Sequence, residues 1–160
     1  MFSHIMIGTN DLDRAKSFYD ALLGTLERCF WEEATMFSHI MIGTNDLDRA
    51  KSFYDALLAT LDVPPARVDG HRIFYMTPTG IFSVSKPIDG EPATHANGGT
   101  IGFAAKSPEQ ADAWHAAGVA AGGTSIEDPP GVREGGAGKL YLAYLRDPDG
   151  NKICALHRMG

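Results

Sequence analysis

Residues 36–58 read MFSHIMIGTNDLDRAKSFYDALL, and the rest of the chain takes its place around them. Phe37–Gly43 is apolar and β-prone, closed by Asn45 and Asp46. A helix follows, because Leu47, Ala50, Tyr54, Leu57, Leu58 and Leu61 recur on one helical face. Asn45 or Asp46 can cap it, Asp46 and Asp48 suit its positive end, and Pro64-Pro65 stop it. Residues 1–23 repeat this stretch without a change, and beyond them the two copies diverge. Solenoid repeats drift and continue, so two perfect copies that stop abruptly indicate a recent duplication or a fusion scar. The domain is expected to start at Met36. Residues 1–35 are then an appendage holding six acids and three bases.

Downstream, Arg72–Met76 and Ile81–Ser85 read as strands joined by a Thr-Pro-Thr-Gly turn, and Lys86–Gly99 as a linker. Thr100–Ala105 is the next strand. Ser107 caps a helix with Pro108 in its first turn and Gln110 three residues on, and Gly122-Gly123 end it. A loop holding Pro129, Pro130, Gly135 and Gly136 leads to strand Leu140–Arg146. An Asp-Pro-Asp-Gly turn, Asp147–Gly150, then opens the last strand, Lys152–His157. Strand, helix and strands thus occur twice. His39-Ile40-Met41-Ile42 registers on Thr100-Ile101-Gly102-Phe103 at an offset of 61, and the two turns register at an offset of 70. The expected fold is an α+β domain, residues 36–160, of two βαβββ modules (about 36–95 and 96–160) forming a curved mixed sheet around a cavity.

Composition bounds the function. The chain has 160 residues, 20 acids against 14 bases and a formal charge of −6, with 44% hydrophobic residues, enough for a packed core. No apolar run is long enough for a membrane span, and no Lys/Arg cluster points to a nucleic-acid partner. Two cysteines, Cys29 and Cys154, are too few for a disulfide framework, and the start lacks the pattern of a signal peptide. The cytoplasm is the expected compartment. The Gly-rich stretches near Gly122 and Gly135 lack the strand-to-helix setting of a phosphate loop, and turn chemistry accounts for Asp147 and Asp149.

FSHIMIGTNDLDRAKSFYDALL, together with the closing RDPDGNKICALH, resembles the vicinal oxygen chelate superfamily of glyoxalase I, bleomycin-resistance proteins and extradiol dioxygenases. The resemblance spans residues 36–160. It implies that each module curls into half a barrel around a cavity. It also implies that a divalent ion, where one is bound, takes His or Glu ligands from the first and last strand of each module. Those positions fall on His39, Val84, Thr100 and Cys154. Valine offers no lone pair and threonine a poor one, so this set falls short of the donors Zn²⁺ or Fe²⁺ requires. No metal or other cofactor is expected. A divalent metal is the alternative, with His39 as its first ligand and recruits from His71, His95, His157 or a partner subunit.

Strand alternation puts Phe37, His39 and Met41 on the face away from the helix. Pairing around the second turn sets Tyr144 opposite Cys154 and Leu142 opposite Leu156. By the same offset, Phe74 is the counterpart of Tyr144. The expected small-molecule pocket is therefore lined by Phe37, His39, Met41, Phe74, Val84, Thr100, Tyr144 and Cys154. An ordinary core would have the same lining. His39 is a candidate general acid or base, or a hydrogen-bonded structural residue. Cys154 is a small apolar residue or, given a cationic neighbour, a nucleophile. Three readings follow: a metal-free protein binding a small organic molecule, a metal-dependent lyase, isomerase or dioxygenase built on His39, and an interaction module. The two copies compete for one slot, and copy two is expected to fill it. The surplus helix, with Leu12, Ala15, Tyr19, Leu22 and Leu23 on one face, would then support a homo-oligomer through residues 1–35.

Overall fold

A computed structural model describes residues 1–24, 37–135 and 138–159. Cys29, Met36 and Gly136 lie outside the described residues. Copy one forms β1 (Phe2–Met6) and α1 (Leu12–Gly24). Copy two forms β2 (His39–Gly43) and α2 (Leu47–Ala59). There follow β3 (Arg67–Asp69), β4 (Arg72–Thr77), β5 (Gly80–Ser85), β6 (Thr100–Ala104), α3 (Pro108–Ala120), β7 (Thr124–Ser125), β8 (Gly131–Gly135), β9 (Gly138–Arg146) and β10 (Lys152–Arg158). The fold is α+β with two mixed sheets and no closed barrel.

The module-one sheet has the order β2-β5-β4-β3, with β2 parallel to β5. The module-two sheet runs β1-β6-β10-β9-β7, with β6 parallel to β10 and β8 also on β9. The expected strands and helices are present. In addition, β8 occupies part of the stretch 129–136 read as a loop. Its glycine-bounded sequence has little strand character of its own, and the ladder to β9 supplies what propensity lacks.

Helix α2 begins as the sequence predicts, with the Asp46 carboxylate accepting from Arg49 N–H at 3.0 Å. Ser107 caps α3 through Gln110 N–H at 3.2 Å. The buried face of α2 consists of Ala50, Phe53, Tyr54, Leu57 and Leu58. A Cβ on Gly118 would run into the methyls of Leu57 and Leu145, so glycine there lets α3 sit close to α2 and β9. A chain of rings joins the modules: Tyr54 to Phe82 at 4.8 Å, Phe82 to Phe103 at 5.4 Å, and Phe103 to Trp114 at 6.2 Å between centroids. No helix among the described residues is long and apolar enough to cross a membrane.

The duplicate is divided in its fate. Helix α1 buries no residue. Strand β1, however, pairs antiparallel with β6, and Met1, Phe2 and Ile5 pack against the core. The ring of Phe2 lies 6.5 Å from that of Phe82 and 6.0 Å from that of Phe103. Copy one is therefore surplus in its helix and not in its strand.

Candidate functional site

The eight residues expected to line one pocket fall on two sheets. On the module-one sheet, register puts Met41, Ser83 and Phe74 in one row, with His39 two residues before Met41 on β2. His39 is exposed, and its Nδ1 lies 2.9 Å from the Ser38 hydroxyl. Phe37 lies between copies, beside Ile5, Leu12, Ala15 and Tyr19 of the arm.

Val84 is the clear correction. It pairs with Ile42 and Ile73, is 1% exposed and belongs to the core under α2. The two turns do not have equal length. Only Pro78 and Thr79 separate the paired Thr77 and Gly80, whereas residues 147–151 separate the paired Arg146 and Lys152. Aligning them at a constant offset slips one strand by one residue, which turns every side chain to the other face. Ser83 holds the position assigned to Val84.

On the module-two sheet the expected pairing holds: Cys154 faces Tyr144, and Leu142 faces Leu156. Gly102 lies beside Cys154 on one side and His4 on the other, so His4, Gly102, Cys154 and Tyr144 form one row across four strands. Thr100 is buried at the end of β6 and pairs with Met6. A Cβ on Gly102 would run into the His4 ring and the Ser3 hydroxyl, so the imidazole lies flat over bare backbone. Burial, then the charge of Arg158, pushes the His4 imidazole down. Sequence reasoning gave His4 no role unless copy one entered the domain, and its strand does.

Burial also pushes the Cys154 thiol up to about 12 and, with Cys154 beside it, the Tyr144 phenol up to about 12. At neutral pH both keep their protons, and Cys154 is no nucleophile. The Lys152 ammonium lies 4.7 Å over the Tyr144 ring and pairs with Glu127.

The positions that would hold a divalent ion carry His39, Ser83, Thr100 and Cys154. The first two are on one sheet and the last two on the other. Among the described residues no three His, Cys, Asp or Glu side chains gather as ligands. The alternative donors are elsewhere: His157 Nδ1 lies 3.0 Å from the Ala105 carbonyl, and His95 sits against Gly150. One exposed imidazole with hydroxyls and a protonated thiol is a poor donor set for a transition ion. No step is derived through a metal.

A pocket of 440 Å³ opens on the module-one face, bordered by Met41, His71, Arg72, Ser85, Lys86 and Ile88. Arg72 lies 5.8 Å over the Phe74 ring. Its Nε is buried without a hydrogen-bond partner, and its one carboxylate, Asp69, is 3.6 Å from a terminal nitrogen. Of these residues the sequence reading had singled out Met41 and, beneath the guanidinium, Phe74. Arg72 and Lys86 were missed because they sit at a strand start and in a presumed linker, where no periodicity marks a site. The Asp147–Asn151 turn also does more than turn. Asp147 accepts from the Tyr54 hydroxyl at 2.7 Å, and Asp149 from Thr44 at 2.6 Å and Arg49 at 3.0 Å, which clasps module two to the start of α2.

Comparison with known proteins fits this architecture. The model of the Glyoxalase/Bleomycin resistance protein/Dioxygenase superfamily matches residues 36–155, and the chain belongs to that family. A glyoxalase/bleomycin resistance protein from Albidiferax ferrireducens T118 is 64% identical over 78% of this chain and 100% of its own, with a TM-score of 0.77. A family enzyme from Burkholderia phytofirmans PsJN shares 18% identity over 74% of this chain and 95% of its own (TM-score 0.58), which reflects the fold alone. The same holds for a lactoylglutathione lyase from Agrobacterium tumefaciens, at 19% identity over 78% and 95% (TM-score 0.54). No curated protein matches the chain.

Proposed function

We propose that this chain binds a small organic molecule bearing an anionic group, and does so without a metal. The observation that carries the reading is Arg72. Its guanidinium borders a 440 Å³ pocket with one nitrogen unpartnered, above an aromatic ring and beside Lys86 and Met41. A buried donor without a partner is costly, and a ligand carboxylate would satisfy it in a geometry that guanidinium favours. Met41 and Ile88 give an apolar body something to cover. The absence of a metal from this reading is supported by the donor set at His39, Ser83, Thr100 and Cys154.

The test is thermal unfolding against a panel of small aromatic and aliphatic carboxylates. A ligand that binds the native state raises the midpoint with concentration. At least one carboxylate should do so, with and without a chelator present, and Arg72→Ala should abolish the shift. A midpoint that no carboxylate moves would sink the anion reading. A stoichiometric transition metal in untagged protein, lost in His39→Ala, would restore the metal-dependent alternative.

A further inference from the structure

The surface concerned is the outer edge of β6. Copy one occupies it, and β1 has the same sequence as the start of copy two: Phe2, His4, Ile5 and Met6 face Phe103, Gly102, Ile101 and Thr100. Any strand of that sequence makes those contacts, and Phe37–Met41 is such a strand. In this chain β2 uses one edge for β5. It ends its sheet on the other side, with Met41 45% exposed. One strand edge is therefore open, and the matching edge of β6 is covered by a duplicate of that strand.

Strand β2 cannot reach its own β6 cheaply. Its end is fixed by Thr44 N–H to Ser85 at 3.0 Å, by Thr44 and Asn45 to Asp149, and by the Asn45 side chain to Ala93 at 3.0 Å. A Cβ on Gly43 would already press on Ala93 at 2.9 Å, so this end has little room to slide. A second copy of the chain meets no such constraint. Placed in the β1 register, its Met41 would face Thr100 and its His39 would lie over Gly102 beside Cys154 and Tyr144.

We propose that the β6 edge is the docking site for β2 of a second copy of this chain, in a two-fold pairing, and that residues 1–24 keep it covered in cis. Open strand edges invite such pairing, and a pairing that each chain offers and accepts closes on itself. Identical contacts leave tethering to decide. A flexibly linked segment sees its site at an effective concentration of order millimolar, so the arm wins while the chain is micromolar. Unlike the expected oligomer through residues 1–35, this arrangement has the arm oppose assembly.

The test uses full-length chains. Proline at position 5 removes an N–H from β1 and leaves β2 untouched. Light scattering at micromolar concentration should give one chain for the wild type and two for Ile5→Pro. In an Ile5→Pro, Cys29→Ser, Cys154→Ala background, the pair Met41→Cys and Thr100→Cys should oxidise to a covalent dimer on a denaturing gel. An Ile5→Pro chain that stays single, or a Met41–Thr100 link closed within one chain, overturns the proposal. So does a wild-type dimer that Ile5→Pro dissolves, since the arm would then dock in trans. If Ile5→Pro does not fold, the cysteine pair in the intact arm decides: covalent dimer rising with chain concentration supports the proposal, and its absence defeats it.

Discussion

Residues 1–23 and 36–58 are one sequence in two places, and the chain makes different use of each. Their local structure is the same. In both, an aspartate caps a 13-residue helix, Asp11 on Arg14 N–H and Asp46 on Arg49 N–H at 3.0 Å each. In both, a threonine bonds two residues ahead, and a lysine pairs with the aspartate one turn on. The surroundings differ. Phe53 is fully buried and Phe18 is 59% exposed, and Tyr54 bonds Asp147 while Tyr19 lines an open groove. Capping and i,i+4 pairs write the helix; only tertiary burial decides what it is worth.

The largest divergence is expected at the phenylalanines. Phe53→Ala removes a ring enclosed by the core and should cost about 3–5 kcal/mol. Phe18→Ala should stay within about 0.5 kcal/mol, as exposed positions usually do. Urea unfolding of the two variants reads both numbers. Equal losses would mean that α1 is packed in solution and that the contrast between the copies is absent.

The next effect is smaller. Tyr54→Phe keeps the ring and removes the hydroxyl that donates to Asp147 at 2.7 Å. Hydrogen bonds to charged groups are worth about 1.5–3 kcal/mol, and Asp147 keeps the Asn151 side chain and two backbone N–H donors. A loss in that range is expected, against none for Tyr19→Phe. An unchanged midpoint in Tyr54→Phe would show that the clasp between turn and helix adds nothing.

The contrast also marks how far the sequence could be read. Apolar spacing and caps located both helices, because those signals are local. The pairing of Tyr144 with Cys154 was legible because the Asp-Pro-Asp-Gly-Asn turn belongs to one hairpin. Val84 was misplaced because it required comparing two hairpins whose turns differ in length, and a register error of one residue inverts a strand. The seat of β1 on β6 was not legible at all. Nothing in FSHIM distinguishes its first use from its second, and the choice rests on which edges the finished sheets leave open. Arg72 and Lys86 escaped for the same reason, since a pocket made by a strand end and a loop has no period.

The smallest effect is pH-dependent and belongs to Asp55, the counterpart of Asp20. Burial alone would raise its carboxyl, but the Ala66 N–H at 2.9 Å, Lys51 and the Tyr75 hydroxyl at 2.9 Å together hold it below the usual carboxylate range. A carboxyl whose pKa is lower in the folded state than in the unfolded chain binds protons less readily when folded. Its contribution is therefore present above the unfolded pKa and lost as the pH falls through the folded one. Asp55→Asn should be destabilising at neutral pH, by about 1 kcal/mol for hydrogen bonds of this kind, and the gap to the wild type should close in acid. Asp20 lacks the Ala66 and Tyr75 partners and pairs with Lys16 on an exposed helix, where such pairs contribute only about 0.3–0.5 kcal/mol. Urea midpoints of the two Asn variants from neutral to acid pH make the comparison. A gap for Asp55→Asn that persists unchanged into acid would show that shape, rather than charge, fits this aspartate to its place.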